Sequence, residues 1–217
     1  MIGLSGPVIK KGETVLFIGD SITDAARNYE DPHHLGSGYA LMAAGLFGAM
    51  YPQLGVKFFN RGISGNRVID LESRWQEDCL ALKPDWISVM VGINDAMRRY
   101  DSNEHTTTET FIGIYRQLLI EAVEACGSRL ILIEPFVLPN VASRRQCRED
   151  LDPKIHAIRD LAEELRAIYI PLDGLFAQAR ANAPIDYWAP DGIHPTPAGH
   201  ALMAKAWLQA VGAGSPL

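Results

Sequence analysis

A chain of 217 residues with 47% hydrophobic content carries enough apolar surface for one well-buried core and is short for two domains. Its formal net charge of −6, without a Lys/Arg run or a basic helix, argues against a phosphate-binding surface and so against nucleic acid as a partner. Met1 to Pro7 lacks the charged and apolar regions of a signal peptide, no apolar stretch approaches membrane-spanning length, and three cysteines without C-x-x-C spacing offer neither a disulfide framework nor a zinc site; the expectation is one cytoplasmic domain over residues 1–217 with reduced cysteines.

Five apolar runs read as strands: Val15 to Gly19, Val56 to Asn60, Trp86 to Gly92, Leu130 to Pro135 and Ala167 to Pro171. Helical stretches lie between them, an alternation that predicts a parallel sheet with right-handed crossovers. Tyr39 to Met50, rich in Ala and Gly, suits a helix lying close on the sheet, ended by Pro52. Arg67 to Leu82 reads as a second helix, with Leu71, Trp75 and Cys79 four apart on one face. Thr106 and Glu109 have capping-box spacing ahead of a stripe of Phe111, Ile114, Leu118 and Ala122 that stops before Gly127. Asp152-Pro153 and Thr196-Pro197 each offer a cap followed by proline at the first helical position, and so open two more helices. Arg27 to Ser37 and Phe136 to Asp150 are long, polar and follow strand ends, where the functional loops of an α/β protein lie.

The chemistry gathers at the strand exits. The first strand ends in Gly19-Asp20-Ser21, placing a hydroxyl beside the unpaired N–H groups of a helix start. After the second comes Asn60-Arg61-Gly62-Ile63-Ser64-Gly65-Asn66, whose glycines permit close approach of backbone to a ligand. After the third comes Gly92-Ile93-Asn94-Asp95, and near the C-terminus Asp191-Gly192-Ile193-His194-Pro195 brings an acid and an imidazole together. In a parallel sheet these exits converge, and ligands collect there. Together they supply ester hydrolysis: Ser21 as nucleophile, His194 as the base that takes its proton, and Asp191 as the carboxylate that orients the imidazole. The backbone N–H groups of Ser21 and Gly65 and the side-chain amide of Asn94 form the expected oxyanion hole. Asp20 and Asp95 are assigned to structure, holding loops through backbone hydrogen bonds. His33, His34, His105, His156 and His200 have no ligand spacing, so neither a metal nor a cofactor is expected.

These four blocks, in this order, resemble the SGNH hydrolases, also called GDSL esterases and lipases. The resemblance runs from the first strand to the last helix. It implies a three-layer α/β/α flavodoxin-like fold with a five-stranded parallel sheet in the order 2-1-3-4-5. Gly62-Ile63-Ser64-Gly65-Asn66 followed by Asp70-Leu71, and Lys83-Pro84-Asp85-Trp86, are most similar to the bacterial xylan acetylesterases. The expected substrate is a small ester, an acetylated saccharide, with Arg98, Tyr100, Tyr187 and Trp188 as candidate contacts. A homo-oligomer is left open as the protein partner. Lysophospholipase, short-chain lipase or thioesterase activity is the alternative within the family. Outside it stand a nucleotide- or flavin-binding module of the same topology, which lacks a P-loop here, and an aspartate phosphatase, for which Asp20 and Asp24 are wrongly spaced.

Overall fold

The computed structural model describes residues 6–214. The expectation drawn from Met1 to Pro7 therefore falls largely outside the described residues. Strands β1 (Thr14–Gly19), β2 (Lys57–Gly62), β3 (Trp86–Met90), β4 (Arg129–Ile133) and β5 (Ile168–Ile170) form one parallel sheet in the order β2-β1-β3-β4-β5. Alternation along β1 explains the layers. Val15 and Phe17 point into one core, with Phe47, Trp207 and Ile131, while Leu16 and Ile18 point into the other, with Leu71, Trp75 and Leu118. A sheet covered on both faces needs apolar strands throughout, and β1 and β3 have no exposed residue.

The first core is covered by α2 (Tyr39–Met50) and α9 (Pro197–Ala210), the second by α3 (Val68–Asp78) and α5 (Thr108–Cys126). Helix α6 (Ala142–Glu164) serves both, with Cys147, Leu151 and Ile155 in the first and Ile158, Leu161 and Ala162 in the second. Short helices α1 (Ser21–Asp24), α4 (Ile93–Asp101), α7 (Leu172–Ala179) and α8 (Ile185–Trp188) complete the set. Ser88, the polar residue inside β3, is fully buried and accepts the Trp207 indole N–H at 3.1 Å. No helix among the described residues is long and apolar enough to cross a membrane.

Several boundaries differ from expectation. The second predicted helix stops at Asp78, and Leu80–Leu82 forms a separate 3₁₀ turn after Cys79. The cap of α5 is Thr107, whose hydroxyl accepts the Thr110 N–H at 3.2 Å, so the Thr106/Glu109 box is one residue out of register. Gly127 does end that helix, in the left-handed region at φ 70°. The largest correction concerns Asp152-Pro153, which opens nothing: Pro153 lies inside α6, which already begins at Ala142. Proline there forfeits its N–H bond and crowds the Glu149 carbonyl, a cost the helix bears because the turns before it are fixed by buried Cys147, Asp150 and Leu151. The supposed loop Phe136 to Asp150 therefore shrinks to its first residues. Of these, Phe136, Val137 and Leu138 are buried rather than exposed and polar.

Candidate active site

Three parallel strands deliver their exits to one edge. Register pairs Gly19 with both Gly62 and Met90, so the residues that follow each strand emerge side by side. At the end of β1 the chain turns into α1, and Asp20, not Ser21, is the cap: its Oδ1 accepts the Ile22 N–H at 3.0 Å. Ser21 is left as the first helical residue with its hydroxyl free to turn outward. Gly62 lies so close beneath α1 that a Cβ would sit 2.2 Å from the Asp24 nitrogen.

Ser21 Oγ lies 3.0 Å from His194 Nε2, and His194 Nδ1 lies 2.6 Å from Asp191 Oδ2. The row is open to solvent, with the His194 side chain 56% and that of Asp191 47% exposed. Burial alone would raise the Asp191 carboxyl. The His194 ring and the backbone N–H groups of His194 and Ile193 outweigh it and hold the acid below its ordinary range. Asn140 Nδ2 donates to Pro190 O at 2.7 Å and Arg144 Nε to Asp191 O at 3.0 Å, so the start of α6 pins the Asp191 turn.

Gly65 sits at φ 80°, which an L side chain rarely adopts, and its N–H, like that of Ser21, takes no acceptor among the described residues. Asn94, in the first turn of α4, donates one Nδ2 hydrogen to Asn66 O at 3.0 Å and keeps the other. Such free donors near a nucleophile are what a developing oxyanion requires. Asp95 accepts the Val68 N–H with both carboxylate oxygens at 3.2 Å, tying the start of α4 to that of α3. Asp20 and Asp95 thus sit where loop-holding residues should. Desolvation raises each to about 7, opposed by their backbone hydrogen bonds, and Asp20 is pushed further by the like charge of Asp95.

The proposed substrate contacts are spread more widely. Arg98 Nη2 reaches Gly65 O at 3.4 Å, at the site edge. Tyr187 and Trp188 pack edge to face with centroids 4.9 Å apart, and the Thr196 hydroxyl and N–H bond to their carbonyls, fixing them beside the His194 turn. Tyr100 stands apart: its ring packs against the first core and its hydroxyl is buried without a partner among the described residues. His200 is engaged elsewhere, Nδ1 accepting the Tyr39 N–H at 3.1 Å. Burial, with the neighbouring His194 charge, lowers it to about 4. Among the described residues no group of three or more His, Cys, Asp or Glu is placed to hold a metal ion.

Sequence reading passed over a set of buried polar residues that brace the glycine turn. Asp24 Oδ2 accepts the Ser64 N–H at 3.0 Å, Arg27 donates through Nε and Nη2 to Gly62 O, and Arg74 reaches several exits at once. The available signal is an acid and a base within six residues of Ser21: Asp24, weighed only as a phosphatase acid, and Arg27, which opens the stretch expected to be loop.

Residues 17–202 match the GDSL-like lipase/acylhydrolase family. The chain is 36% identical over 212 residues to an acetylxylan esterase of Geobacillus stearothermophilus, spanning 94% of this chain and 96% of that protein. A solved acetylxylan esterase from the same organism superposes with a TM-score of 0.85 at 36% identity, covering 94% of this chain and 96% of its own. A GDSL-like lipase from Parabacteroides merdae gives 0.92 at 35% identity, covering 97% and 100%. Catalytic mutants of the Geobacillus enzyme replace a serine, an aspartate or a histidine by alanine, the three residue types aligned here. The chain belongs to the GDSL-like lipase/acylhydrolase family and is a carboxylic ester hydrolase.

Proposed function

We propose that this chain is a serine esterase that removes acetyl groups from short acetylated saccharides, acetylated xylooligosaccharides foremost. The observation that carries the reading is the solvent-open row Ser21, His194, Asp191 beside the free donors of Gly65 and Asn94. The acetylxylan esterase relative over 94% of the chain supports the acyl and sugar halves of the substrate.

Each group then has one task. His194 Nε2 takes the Ser21 hydroxyl proton as Oγ attacks the acetyl carbonyl carbon, and Asp191 steadies the imidazolium that results. The Ser21 and Gly65 N–H groups and the second Asn94 Nδ2 hydrogen receive the oxyanion. Collapse expels the sugar alkoxide, which leaves with the proton held by His194. Water repeats the sequence on the acetyl-serine and releases acetate. Arg98, Tyr187 and Trp188 offer a guanidinium and aromatic faces to a sugar ring, and an exposed triad admits an ester carried on a bulky polar body.

The deciding measurement is kcat/KM for acetyl, butyryl and octanoyl esters of one leaving group, followed by acetylated xylooligosaccharides. Each methylene that fits a pocket gains roughly 1 kcal/mol or more, so chain length discriminates sharply. A steep fall beyond acetyl supports the proposal; a rise toward octanoyl overturns it in favour of a lipase or thioesterase. The proposed place of action is the cytoplasm, on saccharides already imported, and fractionation against a cytoplasmic marker tests it.

A further inference from the structure

Arg74, on the second turn of α3, makes hydrogen bonds that no salt bridge on a helix surface would need. Its Nη2 donates to Gly19 O at 3.2 Å, its Nη1 to Arg61 O at 2.7 Å, and its Nε to Asn66 Oδ1 at 2.8 Å. Gly19 is two residues before Ser21. Arg61 and Asn66 bracket the turn that carries Gly65, and the Asn66 carbonyl is the acceptor that holds the Asn94 amide. One guanidinium therefore binds two backbone carbonyls and one side chain that lie next to the three oxyanion donors. Asp78, one turn further along α3, accepts the remaining Nη1 hydrogen at 2.7 Å and supplies the counter-charge. The Arg74 side chain is only 12% exposed, and its root is fixed because neighbouring Trp75 is buried in the second core.

We infer that Arg74 is a positioning residue that sets the distances among the Ser21, Gly65 and Asn94 donors, with Asn66 as its relay to Asn94. The physical case is the shape of the group. Guanidinium presents five N–H donors in a rigid plane, so acceptors bound to it are fixed relative to one another and not merely attached. Other bonds join the two exits, from Ile63 N–H to Gly19 O at 3.1 Å and from Ser64 N–H to Asp24 Oδ2 at 3.0 Å, but it is Arg74 that ties the Asn66 side chain, at the far end of the turn, to both strands. Oxyanion stabilisation depends on donors lying 2.7–3.1 Å from the charge as it forms, and misplacement by about 1 Å costs on the order of a hundredfold. Arg74 touches no substrate in this arrangement. Its effect should appear in the chemical step and not in binding.

The inference rests on the proposed roles of Ser21, Gly65 and Asn94, and Ser21→Ala checks those separately, because it must silence turnover in every background. With p-nitrophenyl acetate, Arg74→Gln should lower kcat about a hundredfold with KM within about threefold, while affinity for methylboronic acid, which mimics the tetrahedral adduct, falls in step with kcat/KM. Arg74→Lys should lose nearly as much, since an ammonium cannot hold separated acceptors in one plane. Asn66→Ala should cost about tenfold, and adding it to Arg74→Gln should cost little more, as expected of two residues on one route. A folded Arg74→Gln enzyme with kcat within threefold of wild type, or a loss confined to KM, overturns the inference. Should Arg74→Gln fail to fold, Asn66→Ala and Arg74→Lys decide: unchanged kcat and boronate affinity in both would overturn it, and the stated losses would sustain it.

Discussion

Asp191 holds His194 by two points: Oδ2 faces the ring Nδ1 at 2.6 Å while Oδ1 accepts the backbone N–H of the same histidine at 2.7 Å. The acid and the imidazole are three residues apart, so a single turn fixes both the position of the ring and its tautomer. That geometry leaves Nε2 as the acceptor facing Ser21. Asp191→Asn should keep the backbone bonds through its remaining oxygen and turn an N–H toward the ring, forcing the wrong tautomer. Turnover is expected to fall about 10⁴-fold with little change in melting temperature. Kinetics beside thermal unfolding check it, and near-normal rates would point to a different acid.

Asp20 and Asp95 give the fold an unusual pH dependence. Both remain protonated up to about 7 in the native protein, whereas an unfolded aspartate ionises near its model value of 3.8. The native state therefore binds more protons than the unfolded state across that interval, so their contribution to stability falls as pH rises from about 4 to about 7 and is level above it. Replacing both by Asn removes the charge while keeping an oxygen for the Ile22 and Val68 N–H groups. Relative to wild type, the double variant should gain melting temperature from pH 5 to about pH 7 and level off above it. A difference that does not vary with pH would contradict the burial argument.

Lys154 is fully buried on α6, its Nζ donating to Asp150 Oδ2 at 2.5 Å. Asp150 also faces His105 Nε2 at 3.0 Å and Arg99 Nη1 at 3.3 Å, so the two members of the pair differ in what remains when the other is removed. Asp150→Ala strands an ammonium in the interior and should cost about 3–5 kcal/mol. Lys154→Met fills the same space and leaves Asp150 with the Arg99 guanidinium and the His105 ring as partners, so its cost should be clearly smaller. Urea unfolding of the two variants measures the order, and the reverse order would refute this account.

The strand exits were legible because they combine small residues with isolated polar ones where apolar runs stop, a pattern that burial on both faces of the sheet makes conspicuous. What was not legible follows from the same physics. Arg74 lies on a helix whose Glu72 and Glu77 face solvent, and nothing local distinguishes an arginine turned back over strand ends from one turned outward. Asp152-Pro153 copies a helix start in every local respect, and only the packing of Cys147 and Leu151 against the first core extends α6 through it. Thr106 and Thr107 offer the same hydroxyl one residue apart, a choice made by which turn puts Phe111 and Tyr115 into the second core. The stretch from Ile93 to Asp101 yields an amide donor, a structural acid and two candidate contacts to sequence reading but no helix, yet it forms α4, whose N-terminus aims that amide.

Placement at the start of α4 allows the role of Asn94 to be separated from its contribution to folding. Its Nδ2 donates to Asn66 O at 3.0 Å, and its second hydrogen is the one assigned to the oxyanion. Asn94→Ala removes the donor and should lower kcat by about 10²–10³ with a small change in KM. Asn94→Asp should be worse for turnover, because an acceptor replaces the donor and sets a negative charge where the oxyanion must form. The same carboxylate sits in the first turn of a helix, however, where the unpaired N–H groups and the macrodipole favour negative charge. The aspartate variant should therefore fold about as stably as the alanine variant, or more so, while being the less active of the two. Measuring kcat and melting temperature for both gives the test: if activity and stability fall together in the same order, Asn94 is a structural residue and the oxyanion assignment fails.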